Sequence, residues 1–77
     1  MANTKTFEKR LKLVGERLKK LRQKAKYSSA ETFAFDNDLN RVQYWRMEKG
    51  ANFTMQSLMK VLDIHKITFE EFFKDLE

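Results

Sequence analysis

The side chains best suited to chemistry lie in one short stretch, residues 40–50, which reads NRVQYWRMEKG. Its two arginines, Arg41 and Arg46, carry guanidinium groups whose N–H donors suit anions and planar acceptors. A valine, Val42, and a tryptophan, Trp45, lie beside them. A buried helix would exclude the arginines, whereas a plain solvated face would not favour the tryptophan. This mixture is typical of a face that contacts another molecule.

Catalytic and metal-binding side chains are sparse in the rest of the chain. There is no cysteine, and the single histidine, His65, falls where the pattern predicts an exposed loop. Four carboxylates near the C-terminus mark a solvated helix face rather than a metal site: Glu70, Glu71, Asp75 and Glu77. Without a nucleophile, a glycine-rich loop or a spaced ligand set, the sequence predicts no enzyme, no cofactor and no metal.

Length and composition indicate one small domain, residues 1–77, with a net charge of +5. Because no disulfide is available, packing or oligomerisation must stabilise so short a chain. No apolar run reaches the length of a membrane span or of a signal peptide, which predicts a soluble, cytoplasmic protein. The positive charge favours an anionic partner, although many basic proteins bind none.

Apolar spacings predict five helices. The chain has no proline and only two glycines, which disfavours a turn-rich β fold and so predicts no sheet. The first helix carries one apolar stripe: Phe7, Leu11, Val14, Leu18 and Leu21. Nine lysines and arginines between residues 9 and 26 cover its other faces. They are either a solvated surface or, in part, phosphate contacts.

The second and third helices are predicted from capping signals. Ser28 and Glu31 form the pattern of a capping box, and Asn40 and Gln43 form a similar one. Asn37 and Asp38 suit the exit from the second helix, because both residue types tolerate the left-handed conformation. Four residues are expected to point inward from the two helices: Phe33, Ala34, Tyr44 and Met47.

Two more helices complete the predicted all-α fold. The fourth begins after Thr54, and its apolar set is Met55, Leu58, Met59, Val61 and Leu62. Thr68 and Glu71 form a third capping box at the start of the fifth. On that helix Phe69, Phe72 and Leu76 are expected on one side.

Residues 15–73 resemble the Cro/repressor (XRE-type) helix-turn-helix family. The resemblance is carried by GERLKKLRQKAKYSSAETFA, LNRVQYWRMEKG, SLMKVLDI and ITFEEFF in that order. It implies a compact five-helix, lambda-repressor-like DNA-binding domain with its helix-turn-helix over residues 28–50. Two departures stand out: Asp38 replaces the usual glycine of the turn, and Ala30 replaces a polar residue early in the second helix. The connections before Ser28 and before Ile67 are also longer than usual.

The resemblance implies sequence-specific binding to double-stranded DNA as a small transcriptional regulator, with the third helix in the major groove. Arg41, Val42 and Arg46 match the family's base-contact positions, since arginine pairs with guanine and valine meets a thymine methyl. Gln43 either reads adenine or only caps the helix. For the arginines, the alternative is an ordinary solvated face.

Contacts with the DNA phosphates are expected from the start of the second helix and from the end of the third. The residues concerned are Ser28, Ser29, Lys49 and Asn52, with Trp45 covering either the second helix or a sugar-phosphate strand. Arg22 and Glu48 match a family pair that joins the first helix to the third, although they could also be unrelated surface charges. That pair would be structural.

The C-terminal helix predicts a homodimer interface. Phe69, Phe73 and Leu76 exceed what one short helix buries, and one recognition helix reads only a few base pairs. The alternative for the dimer is a monomer that folds all these side chains into its core. The alternative for the whole chain is a protein-interaction module, such as an antitoxin or a regulator subunit that binds a protein partner.

Overall fold

The computed structural model describes residues 4–76; residues 1–3 and Glu77, one of the predicted surface carboxylates, lie outside this range. Within it the chain forms five α-helices and no strand: α1 (Thr4–Lys24), α2 (Ala30–Asp36), α3 (Arg41–Glu48), α4 (Met55–His65) and α5 (Phe69–Phe73). The predicted compact all-α, five-helix fold is confirmed. Across the described residues, no helix combines the length and the apolar character that crossing a membrane requires.

The predicted stripe of α1 is buried only in its central and C-terminal parts. Val14 and Leu18 are buried, whereas Phe7 is 52% exposed. The reason is length: α1 has 21 residues and is about 30 Å long, but α2 and α3 have 7 and 8 residues and reach about 10–12 Å. The first turns of α1 therefore extend past the helices that would cover Phe7.

Two helices approach each other closely at Gly15 in the middle of α1. A Cβ atom at this position would lie 2.5 Å from the carbonyl oxygen of Glu48 and 2.7 Å from that of Met47. Glycine is a poor helix former, so its presence here has a packing reason. Only a residue without a side chain lets the backbone of α1 rest directly on the C-terminal end of α3.

The core lies where α1, α2, α3 and α4 meet, and the four residues predicted to point inward from α2 and α3 are all buried in it. The rings of Phe33 and Tyr44 lie with their centroids 5.0 Å apart, and Ala34 between the helices is fully buried. From α4 the buried residues are Leu58, Val61 and Leu62. The two other apolar residues predicted for this set, Met55 and Met59, point to solvent instead.

The turn between α2 and α3 forms without glycine. Asp38 adopts the left-handed conformation with φ of 58°. The Leu39 N–H donates to Ala34 O at 2.9 Å, and the Asp38 N–H donates to Phe35 O at 3.3 Å. These two bonds are those of a Schellman motif, which satisfies the last carbonyls of α2. The prediction that Asp38 tolerates the left-handed conformation at this turn is confirmed.

The caps of α2 and α3 differ from the predicted boxes. Ser29, not Ser28, caps α2, and its hydroxyl accepts from the Thr32 N–H at 3.2 Å. The prediction of a Ser28–Glu31 capping box is therefore wrong, because the cap lies one residue later. Asn40 does cap α3 by accepting from the Gln43 N–H at 2.9 Å, but the reciprocal bond from the Gln43 side chain is absent among the described contacts. The box of Thr68 and Glu71 is complete.

His65 is not an exposed loop residue, as its position had suggested. It is the last residue of α4, is half-buried, and stacks on Phe33 with ring centroids 5.2 Å apart and planes 5° apart. Burial lowers the pKa of this imidazole below its ordinary value. Lys66, the C-cap that follows α4, adopts the left-handed conformation.

The last helix, α5, contributes one residue to the core, Phe72, while Phe69 on the same helix stays exposed. Leu76 follows the end of α5 and is partly buried against the core. Arg17 of α1 holds this end of the chain, donating to Phe72 O at 3.1 Å and to Lys74 O at 3.2 Å. A cation at these carbonyls complements the negative end of a helix.

We expect Gly15→Ala to destabilise the protein by about 1–3 kcal/mol, because the added methyl collides with backbone atoms that cannot move independently. Urea denaturation monitored by circular dichroism measures this difference. Lys20→Ala, at an exposed position of the same helix, is the matched control and should change stability by less than about 0.5 kcal/mol. Equal stability of G15A and wild type would contradict the tight contact between α1 and α3.

Candidate nucleic-acid interface

Helix α3 has two sharply different sides. Tyr44 and Met47 are 1% and 2% exposed and hold the helix against the core. The opposite side, here called the outer face of α3, consists of Arg41, Val42, Trp45 and Arg46, all exposed. Because these positions recur once per turn, their side chains form one continuous surface. The structure thus brings three of the four predicted base-contact residues together on this face.

The fourth predicted base-contact residue, Gln43, points toward α4. Its side-chain Nε2 donates to the Ser57 Oγ at 3.0 Å. Ser57 in turn donates its backbone N–H to the Thr54 Oγ1 at 3.1 Å, within the cap of α4. The Gln43 side chain therefore joins α3 to the first turn of α4, and its reading of adenine stays a prediction.

At the start of the outer face, Arg41 pairs with a residue that the sequence did not single out for this role. The Arg41 Nη1 donates to the Glu31 Oε1 of α2 at 3.0 Å. The two residues, with Val42 and Trp45, line a cleft of about 480 Å³ between α2 and α3, here called the α2–α3 cleft. The predicted capping box had assigned Glu31 to the cap of α2. Its pairing with Arg41 depends instead on the turn that brings α2 and α3 together.

The predicted phosphate contacts separate into two groups. Ser29, Trp45 and Lys49 line one concavity beside the start of α2, and the Lys49 Nζ lies 5.5 Å from the centroid of the Trp45 ring, a cation–π contact. Ser28 is exposed just before that helix. Asn52 lies elsewhere, beside Phe7 and Leu11 of α1, and its side chain accepts from the Phe53 N–H at 3.0 Å.

The predicted structural pair, Arg22 and Glu48, is a buried fork-shaped ion pair. The Arg22 Nε donates to the Glu48 Oε2 at 2.7 Å and its Nη2 donates to the Oε1 at 3.0 Å, with 5% of each side chain exposed. The remaining Nη1 donates to Tyr27 O at 2.9 Å. Burial, and then the neighbouring Glu48 carboxylate, raise the pKa of the Tyr44 hydroxyl. The pair thus fixes the end of α3 to α1 and to the connection before α2.

The predicted dimer surface is partly exposed. Phe69 and Phe73 are 41% and 42% exposed, with ring centroids 6.2 Å apart, while Leu76 is half-buried. Met59 of α4, which is 47% exposed, lines a groove with Phe69. The sequence had listed Met59 only as part of the apolar set of α4 and did not assign it to this surface.

Carboxylates and histidine do not converge in the part of the chain that the structure describes. Among residues 4–76, no three such side chains lie where they could hold a metal ion.

Comparison with known proteins identifies a relative of similar length. The chain is 39% identical over 64 residues to Control protein C.MunI from Mycoplasma sp, an alignment that covers 82% of this chain and 86% of that protein. Neither a family model nor a solved structure matches the chain. The shared length includes most of the described helices.

We expect Arg22→Met and Glu48→Leu each to destabilise the protein by about 3–5 kcal/mol, because each leaves an unpaired buried charge. The double variant should be less destabilised than the sum of the two, since it removes both charges together. Urea denaturation of the four proteins gives the coupling energy through a double-mutant cycle. Strictly additive losses would show that the two side chains do not act as a pair.

Proposed function

Because this chain belongs to the control-protein family of small helix-turn-helix regulators, we propose that it regulates transcription by binding double-stranded DNA sequence-specifically. The observation that carries the proposal is the two-sided α3. Buried Tyr44 and Met47 fix the helix, and its outer face presents two arginines to solvent. Control proteins belong to restriction–modification systems. We propose that this chain likewise regulates the genes of such a system.

The proposed mode of binding places α3 in the major groove with its N-terminus at the base edges. Arg41 and Val42 lie in the first turn of α3, and Arg46 follows one turn later. Arginine reads guanine through paired hydrogen bonds to O6 and N7, and valine reads a thymine through its methyl group. This is the binding mode of the Cro/repressor (XRE-type) helix-turn-helix class, to which we assign the chain.

Phosphate contacts would position this helix on the duplex without reading sequence. The concavity that contains Ser29, Trp45 and Lys49 lies next to the outer face of α3, so a strand along the groove edge can meet all three residues. Ser28 precedes them at the start of α2. Asn52 lies apart and would contact only a strand that passes the C-terminal end of α3.

The protein-interaction module remains the second candidate function, because exposed aromatic residues persist on α5. The two candidates differ in how binding responds to salt. Replacing counterions on DNA makes affinity fall steeply as salt rises, whereas an apolar protein interface depends on salt weakly.

We further propose that residues 1–77 act as one cytoplasmic domain without a cofactor.

Base readout makes a specific prediction for the outer face of α3. We expect Arg41→Ala and Arg46→Ala each to reduce discrimination between a selected duplex and a scrambled one by about 1–3 kcal/mol. Lys49→Ala, which removes a phosphate contact, should weaken binding to both duplexes about equally. Competition binding measures both affinities, with circular dichroism as the control for folding. Equal losses on both duplexes for the arginine variants would contradict base readout.

We propose that the working form is a homodimer, paired through the apolar side chains of α5 and Met59. A single module rarely reaches specific affinity against genomic competitors, and a second copy supplies a second recognition helix one helical turn away. The surface is self-complementary in chemistry, since it is apolar and aromatic on both copies. Phe69 and Phe73 contribute most of the exposed ring area on α5.

We expect Phe69→Lys and Phe73→Lys to shift the protein from dimer to monomer, because each places charges opposite one another at the interface. Sedimentation at micromolar concentration measures this shift. Phe35→Lys is the matched control, since Phe35 is 71% exposed but lies on α2, away from this surface. A wild-type protein that stays monomeric and binds a half-site as tightly as a palindrome would rule out the dimer.

A further inference from the structure

The ion pair between Arg41 and Glu31 connects the two helices of the helix-turn-helix at the surface. Arg41 is the first residue of α3, and Glu31 is the second residue of α2. Because Ser29 caps α2 through the Thr32 N–H, the Glu31 side chain is not engaged in a capping box. It reaches across the α2–α3 cleft to the Arg41 Nη1 at 3.0 Å.

This pair does little to hold the two helices together. Its side chains are 59% and 71% exposed, and exposed ion pairs contribute about 0–1 kcal/mol to stability. The buried contact of Phe33 and Ala34 with Tyr44 already fixes α2 against α3. The pair does favour one direction of the Arg41 side chain among the rotamers that it would otherwise sample.

We propose that Glu31 is a positioning residue for sequence readout: it orients the Arg41 guanidinium for guanine and disfavours the use of Arg41 as a general phosphate-binding cation. The inference rests on the proposed reading of DNA by Arg41. Glu31 on α2 would then be a determinant of sequence specificity in addition to the residues on the outer face of α3.

The geometry of the guanidinium allows both contacts together. The carboxylate of Glu31 occupies one N–H of Nη1, and the second N–H of Nη1 and those of Nη2 stay available for the O6 and N7 of guanine. Val42 and Trp45 line the same cleft. Their apolar surfaces offer the guanidinium no competing hydrogen-bond acceptor, so the carboxylate is the acceptor in the cleft that favours one orientation.

The carboxylate of Glu31 has one effect on binding to every duplex and a second effect at the correct sequence alone. A carboxylate at a DNA-facing surface repels phosphates, which lowers affinity for every duplex. It also spares Arg41 part of the ordering cost when guanine binds, a gain available only at the correct sequence. A residue with a purely structural role would change both affinities by about the same factor.

The first experiment compares Glu31→Ala and Glu31→Gln with wild type in competition binding to a selected and a scrambled duplex. We expect E31A to bind the scrambled duplex more tightly and to lower the ratio of specific to non-specific affinity by about twofold to tenfold. E31Q keeps an oxygen acceptor for Arg41, so it should retain most of that ratio. Glu8→Gln, which removes an exposed charge from α1, is the control and should leave the ratio unchanged.

The second experiment repeats E31A in an Arg41→Ala background. Because Glu31 acts through Arg41, we expect no further loss of discrimination in the double variant. An unchanged ratio in E31A, or an equal loss with and without Arg41, would overturn the inference. If wild type itself fails to distinguish any selected duplex from scrambled DNA, the proposed DNA readout fails instead, so the two failures are distinguishable.

Discussion

The direct contact of α1 with the C-terminal end of α3 is the constraint on which the other features depend. Gly15 lets the two backbones meet, and the fork-shaped pair of Arg22 with Glu48 lies beside that meeting point. The glycine sets the distance between the helices, and the ion pair sets the rotation of α3 about its axis. A buried ion pair is weak evidence for net stability, so we interpret the role of Arg22 and Glu48 as geometric.

A fixed α3 in turn defines what the protein can present. The Schellman turn at Asp38 sets the angle between α2 and α3, and Phe33 and Tyr44 fill the space between them. The bond from Gln43 to Ser57 holds the other flank of α3 against α4. Three neighbouring helices therefore hold α3 from behind and from both sides, and its outer face alone remains free to contact a partner.

Local patterns predicted the features of the fold that depend on local physics. The caps at Thr54 and Thr68, the left-handed Asp38 and the inward direction of Tyr44 and Met47 all follow from residues within one turn. The failures depend on partners distant in sequence. Phe7 satisfies the apolar period, but none of the described helices covers it, and His65 is half-buried because Phe33 of α2 stacks on its ring. For the same reason the pairing of Glu31 with Arg41 has no signature in the sequence.

The separation of the two sides of α3 has an evolutionary consequence. The residues that hold the helix, Tyr44 and Met47, are distinct from those of its outer face, and the latter contribute little to the core. Substitutions at Arg41, Val42, Trp45 and Arg46 therefore need not pass through unstable intermediates, because surface changes usually alter stability by less than about 0.5 kcal/mol. A lineage built on this scaffold can change the chemistry of this outer face one residue at a time while its fold stays constant.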